Sequence, residues 1–219
     1  MCRSINSRPG PQPPEPLGGN AMKQYVITIS RQFGSMGRSI AQALAQQLNI
    51  DFYDRDIVEE TARRMGLLVS VISYTEENAK SVYFRRIYPL GMGVPNLRDE
   101  IFLVQKNIIR DLAAKSSCIV VGRCGGSILA DMPNRLGVYV YAPYSQRLQN
   151  CTQKLGMDEA TARRMIREVD RARELYHRRY CPEVKDVFTD HDLMLDSSRF
   201  GIEGSARLLA HIAQTLFET

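Results

Sequence analysis

A chain of 219 residues, 44% hydrophobic and 24% charged, is suited to one soluble α/β core, and no apolar run approaches the roughly 18 residues a membrane span requires. Five scattered cysteines with no C-x-x-C pair, and three widely separated histidines, argue against a disulfide framework or a zinc site and for a reducing, cytoplasmic setting. The formal charge of +5 and pI near 9.0 would permit nucleic-acid binding, but residues 163–185 hold eight Lys/Arg against four Asp/Glu, and so concentrated a surplus points to a single anionic ligand site.

In chain order, residues 1–22 open with a segment that carries five of the ten prolines and almost no apolar side chains, which predicts a disordered tail outside the fold. "YVITI" (25–29) reads as a buried first strand. From Gly37 to Leu48, apolar residues recur four apart (Ile40, Leu44, Leu48), one face of a helix. "IDFYD" suggests a short strand, followed by a helix over "RDIVEETARRM" that Asp54 would cap and Gly66 would end. Ser73 to Glu76 has capping-box spacing, and the rest of 67–95 shows no clear period. Asn96 is the expected cap of a long helix to Lys115, with Ile101, Val104, Ile108 and Leu112 on one stripe. "CIVVG" and "GVYVYA" are two more buried strands, 144–154 and 158–180 are helical in pattern, and "DLMLD" is a last strand before the helix 202–217.

Strands separated by helices imply a parallel sheet wound through right-handed crossovers. In such sheets ligands bind beyond the carboxyl ends of the strands. That rule places Ser30 to Ser39, Phe52 to Arg55, Arg123, Ala142 and Pro143 at the candidate site. The first of these stretches, "ISRQFGSMGRSIA", has two glycines before a helix start, where unpaired amides favour an anion. It reads either as a phosphate cradle or as an ordinary strand–helix turn, because Arg38 stands where a G-x-x-x-x-G-K-[ST] loop has lysine. Arg123 directly follows a buried strand and would reach the same crevice. Arg164, Arg167 and Arg171 share one face of the basic helix, with Arg173 and Arg178 beside it. Seven arginines to one lysine in that segment favour bidentate grip on phosphoryl oxygens over a merely solvated helix.

Three stretches, "ITISRQFGSMGRSIAQALAQQLNIDFYDRDIV", "CIVVGRCGGSIL" and "VDRARELY" with "DLMLDSSRFGIEGSARLL", together resemble the cytidylate kinase-like family over about residues 24–215. The resemblance implies a three-layer α/β P-loop NTPase fold over residues 23–219, with a five-stranded parallel sheet. It also implies a monophosphate-binding insertion at about 55–100 and a helical lid at about 158–190. The implied activity is phosphoryl transfer from ATP, with Mg2+, to CMP or dCMP, so the implied partners are small-molecule nucleotides. Carried over by position, Ser30, Gly34, Ser35, Gly37, Arg38 and Ser39 would hold the nucleotide phosphates, Ser39 also meeting the magnesium ion. Asp54, Arg123, Arg167 and Asp170 would bind the acceptor, and Arg38, Arg123, Arg171 and Arg173 would stabilise the transferring group. Cytidylate kinases carry lysine and a tighter glycine spacing in the loop, so a regulatory module that binds nucleotides or phosphate without transferring them is the alternative.

Overall fold

Five strands form one sheet: β1 (Val26–Arg31), β2 (Asp51–Tyr53), β3 (Cys118–Val121), β4 (Arg135–Tyr141) and β5 (Leu193–Asp196). They lie in the order β2-β3-β1-β4-β5, and every neighbouring pair is parallel. The computed structural model describes residues 23–72, 94–183, 186 and 190–217; the expectations for the tail and for the capping box at 73–76 lie outside them. Helices among the described residues include α1 (Gly37–Leu48), α2 (Arg55–Met65), α3 (Val94–Lys115), α4 (Gly125–Ile128), α5 (Tyr144–Gln149), α6 (Glu159–Tyr180) and α7 (Ser197–Phe217).

The alternation within β1 explains the three layers. Ile27 and Ile29 point to one face, where Ile40 and Leu44 of α1 and Leu209 and Ala213 of α7 cover them. Val26 points to the other, against Ile108, Ile109 and Ala113 of α3 and Ile57 of α2. Both faces are thus dry, as the continuous β-branched runs require of a parallel sheet. Tyr25 closes one edge of the first layer by stacking on Phe217 at 4.6 Å between ring centroids.

Several expected boundaries move, each for a local reason. β1 continues to Arg31 and so carries a charged side chain to the carboxyl edge of the sheet. Gly66 ends α2 in the left-handed conformation, as expected (φ 64°). Asp54 does stand before α2, but its side chain caps nothing, because its carboxylate is engaged by arginines instead. α3 is already helical at Val94, so Asn96 lies inside it and is not its cap. Past α5 the chain widens into a π-helical turn, Asn150–Lys154. α7 begins directly after β5 at Ser197 and bends at Gly201 (φ 64°), five residues earlier than its apolar period suggests.

Candidate functional site

Three backbone segments meet at the carboxyl ends of β1 and β3: the loop 32–36 with the start of α1, the β2–α2 junction, and the corner Gly122–Cys124. The loop is shaped from outside. Asn150 Nδ2 donates to the Gly34 carbonyl at 2.8 Å, and a side chain at Gly34 (φ 77°) would strike the Arg147 carbonyl and Cys151 Sγ. The π turn is what brings Asn150 and Cys151 to that contact, by adding a residue to the helix circumference. Ser35 is fully buried; its hydroxyl donates to the Gln32 carbonyl at 2.9 Å, and its own carbonyl accepts from Ser197 Oγ at 2.7 Å. Met36, in the left-handed region at φ 62°, precedes α1, which no side chain caps. The first amides of α1, at Gly37, Arg38 and Ser39, consequently have no acceptor within the helix. Ser30 is the penultimate residue of β1, and Ser39 is half-buried in the first turn of α1.

Asp54 is the electrical centre. Its carboxylate receives Arg123 Nη1 at 2.7 Å, Arg38 Nε at 3.0 Å and Arg31 Nη2 at 3.6 Å, and its side chain is 8% exposed. Arg31 and Arg123 are nearly as deep, whereas Arg38 is 56% exposed. The corner after β3 is built around these side chains. A Cβ at Gly122 would collide with Arg31 Nη1 where that guanidinium now lies, and φ of 75° there is itself a conformation that favours glycine. Arg123 and Cys124 both adopt φ above +50°, a conformation that costs a Cβ-bearing residue roughly 1–2 kcal/mol. Strain of that kind gathers where the surroundings over-determine the backbone, here at the carboxyl edge of the sheet.

A second carboxylate ties α6 to the loop. Asp170 Oδ1 accepts the Phe33 amide at 2.7 Å, and its Oδ2 receives Arg147 Nη1 at 2.5 Å. Arg147 also donates to the Phe33 carbonyl at 3.2 Å. Between the two carboxylates lies Arg173, which donates to the Arg31 carbonyl at 3.0 Å. Burial pushes its guanidinium pKa down, against the attraction of Asp170 and Asp54. Among the described residues, five guanidinium groups (Arg31, Arg38, Arg123, Arg147, Arg173) gather around two carboxylates. A cluster of guanidinium groups partly withdrawn from water is electrostatically suited to a polyanion.

Of the residues singled out from sequence, Gly34, Ser35, Gly37, Arg38, Ser39, Asp54, Arg123, Asp170 and Arg173 come together here. Ser35 serves the loop's own shape, and Asp170 holds the loop where acceptor binding was expected of it. Arg167 and Arg171 stay on the exposed side of α6, because residues 166, 170 and 173 define its inward face. The basic character of α6 is otherwise mostly local pairing: Arg163 with Glu159, Arg178 with Glu174, and Arg179 with Asp99 of α3. Arg31 falls within the stretch Ser30 to Ser39 expected at the site, with no role of its own assigned, and Arg147 was not foreseen. Arg31 had a signal, an arginine closing an otherwise apolar strand, whereas Arg147 looked like any exposed helix arginine.

Among the described residues no helix is long and apolar enough to cross a membrane. The model of the cytidylate kinase-like family matches residues 26–199. No curated protein matches the chain. Among solved structures, an uncharacterized protein from Eubacterium ventriosum ATCC 27560 superposes with a TM-score of 0.67 at 24% identity, covering 88% of this chain and 99% of the other. Shikimate kinase from Bacteroides thetaiotaomicron follows with a TM-score of 0.52 at 13% identity, covering 88% and 99%. At such identities the likeness is one of fold, a P-loop kinase architecture.

Proposed function

Because the chain belongs to the cytidylate kinase-like family, we propose that it transfers the γ-phosphoryl group of ATP to a nucleoside monophosphate, with CMP or dCMP the first acceptors to test. The observation that carries this reading is the gathering of guanidinium groups beside an uncapped helix start, at the carboxyl ends of a parallel sheet. Phosphoryl transfer asks little covalent chemistry of a protein; it asks for two anions held in line and for charge placed on the equatorial oxygens. The amides of Gly37, Arg38 and Ser39 supply fixed donors for the donor phosphates. Arg123 and Arg31, ordered by Asp54, face the acceptor phosphate. Arg173, reaching in from α6, brings its charge over the transferring group, with α6 acting as the lid.

Magnesium suits the same place. Among the described residues no group of three acidic, histidine or cysteine side chains gathers as a metal site, so the ion would come with the nucleotide and take one protein oxygen, that of Ser39. Such sparse protein ligation is usual for Mg2+, which keeps several waters. The ion would neutralise charge on the phosphates.

Purified protein incubated with ATP, Mg2+ and a panel of nucleoside monophosphates, read by product mass, tests the reading. CDP or dCDP is the expected product; no turnover of any monophosphate would overturn the assignment. Arg38→Ala should lower turnover by roughly 10²-fold or more, the usual loss when an electrostatic stabiliser is removed. One observation favours a nucleotide-binding regulatory module: Arg38 replaces the loop lysine, and its Nε is already spent on Asp54. Calorimetry that detects ATP or CMP binding while no product forms would decide for that module.

A further inference from the structure

Three successive carbonyls in the loop between β1 and α1 are each held by a side chain from outside the loop. Arg147 Nη1 donates to the Phe33 carbonyl at 3.2 Å, Asn150 Nδ2 to the Gly34 carbonyl at 2.8 Å, and Ser197 Oγ to the Ser35 carbonyl at 2.7 Å. All three donor residues are buried. Asn150 is itself oriented, because Gln146 Nε2 donates to its Oδ1 at 3.3 Å and so leaves the Nδ2 end to face Gly34. Ser197 opens α7 directly after β5, and its hydroxyl also lies 3.1 Å from the Tyr141 carbonyl. Polar groups from α5, the π turn and α7 thus converge on one short loop.

A trans peptide is planar, so its carbonyl and the amide that follows point in opposite directions. Drawing the Phe33 and Ser35 carbonyls outward therefore turns the amides of Gly34 and Met36 to the other side. Neither amide has an acceptor among the described residues, although Gly34 is buried. Buried backbone donors are nearly always paired, so a donor left over in such a place calls for an acceptor from outside the chain. The peptide between them works differently. The Ser35 amide is directed at the Gln32 carbonyl at 3.4 Å, and Asn150 keeps the Gly34 oxygen out of the space that the other amides face. That peptide needs the hold most, because glycine at φ 77° offers little steric resistance to a flip. Met36 is left-handed and Gly37 begins the right-handed α1, a succession that brings neighbouring amides to one concavity suited to an anion.

We propose that Asn150 and Ser197 are positioning residues for the nucleotide phosphates, holding the loop's carbonyls away from the anion and its amides toward it. The proposal rests on the reading that places the donor phosphates at this loop, and it names the side chains that make the loop fit for them. A phosphate oxygen accepts from an N–H and repels a carbonyl, so one reversed peptide turns an attraction into a repulsion at the same spot. Asn150 and Ser197 act on affinity through backbone to which they do not belong, and they leave the arginines around Asp54 untouched. Arg147 shares the task, but its pairing with Asp170 mixes the backbone effect with one of charge. The other two side chains are uncharged and isolate it.

Full-length protein is titrated with inorganic tripolyphosphate at fixed ionic strength, followed by calorimetry and by the loop amide signals of isotope-labelled protein. In the parent, the Gly34 and Met36 amide protons should shift downfield as the anion binds. Ser197→Ala should weaken binding about tenfold and abolish the Met36 shift while the Gly34 shift persists; Asn150→Leu, similar in size and uncharged, should also weaken binding about tenfold. Thr152→Ala serves as the control, since that hydroxyl bonds only the Leu148 and Gln149 carbonyls beside it, and it should bind like the parent. With ATP and an acceptor, KM for ATP should rise in the two variants and KM for the acceptor should hold. Affinities within twofold of the parent in Ser197→Ala, no downfield shift at Gly34 and Met36, or an equal loss in Thr152→Ala would each overturn the assignment. Ser197→Ala deletes a single oxygen, so it decides the matter should Asn150→Leu fail to fold. No binding by the parent would remove the phosphate site and the proposal with it. The expected binding pattern in a protein that turns over no monophosphate would uphold the positioning roles and overturn only the kinase reading.

Discussion

Arg163 and Arg173 share one helix and face opposite electrical surroundings. Arg163 lies out in solvent with both Nε and Nη2 on Glu159, at 2.8 and 2.6 Å. Water and salt screen that pair, so its geometry is good and its energy small. Arg173 is sunk between Asp54 and Asp170, donates to a backbone carbonyl of β1, and feels burial as its largest influence. An arginine there persists because the carboxylates and carbonyls around it offset its lost hydration. Shorter contact distance marks the weaker arrangement here. What separates the two arginines is access to water.

The largest break in this contrast should come from Asp54→Ala. It leaves Arg31 and Arg123, each 14% exposed, without their shared carboxylate. Stranding buried charge costs about 3–5 kcal/mol. For a domain of this size that is a drop in melting temperature on the order of 10 °C. Inorganic phosphate should restore part of the loss, because the vacated cluster becomes a stronger anion site. A variant that melts like the parent and ignores phosphate would mean the three arginines do not depend on Asp54.

Asp170→Ala comes next. It removes the acceptor of the Phe33 amide and the partner of Arg147 while leaving the Asp54 group in place. Hydrogen bonds to a charged group contribute about 1.5–3 kcal/mol each, and partial exposure of Asp170 (28%) puts the expected loss near the lower figure. The sharper readout is binding: with the loop released from α6, KM for ATP should rise more than turnover falls. Asp170→Asn keeps an acceptor for the amide and should recover part of the affinity. Equal effects in both variants would make the charge on Arg147, not the loop contact, the important term.

How far this site could be read in advance follows from the same distinction. The sheet was legible because β-branched runs such as "VITI" and "CIVV" admit few alternatives, and the helix start at Gly37 because its apolar period is regular. Position after a strand put Arg123 and Asp54 at the carboxyl edge of the sheet, which is where the two residues pair. Sequence could not say that Asp54 would abandon its capping role, since that depends on three arginines arriving from residues 31, 38 and 123. Nor could it sort the arginines of α6. Charge density picked out the helix, but which face turns inward is set by Ile166 and Ala162 docking with Cys151, a tertiary contact. Arg147 was hidden for a related reason: the π turn that follows it has no one-dimensional signature strong enough to register.

The smallest expected effects fall on the outer arginines, and they test the comparison most strictly. Arg163→Ala removes a pair with two short hydrogen bonds, yet it should leave the melting temperature unchanged within measurement, because solvent replaces what Glu159 supplied. Arg171→Ala removes a side chain that resemblance alone would place at the transferring phosphate, while the structure leaves it exposed. If α6 works in the orientation seen here, Arg171→Ala should keep turnover within about threefold of the parent, while Arg173→Ala loses about 10²-fold or more. Should the two variants fall equally, α6 must rotate during the reaction, and Arg171 would then share the inward position that Arg173 holds in this structure. A loss confined to Arg173→Ala would instead fix the inward face of the helix as the working one.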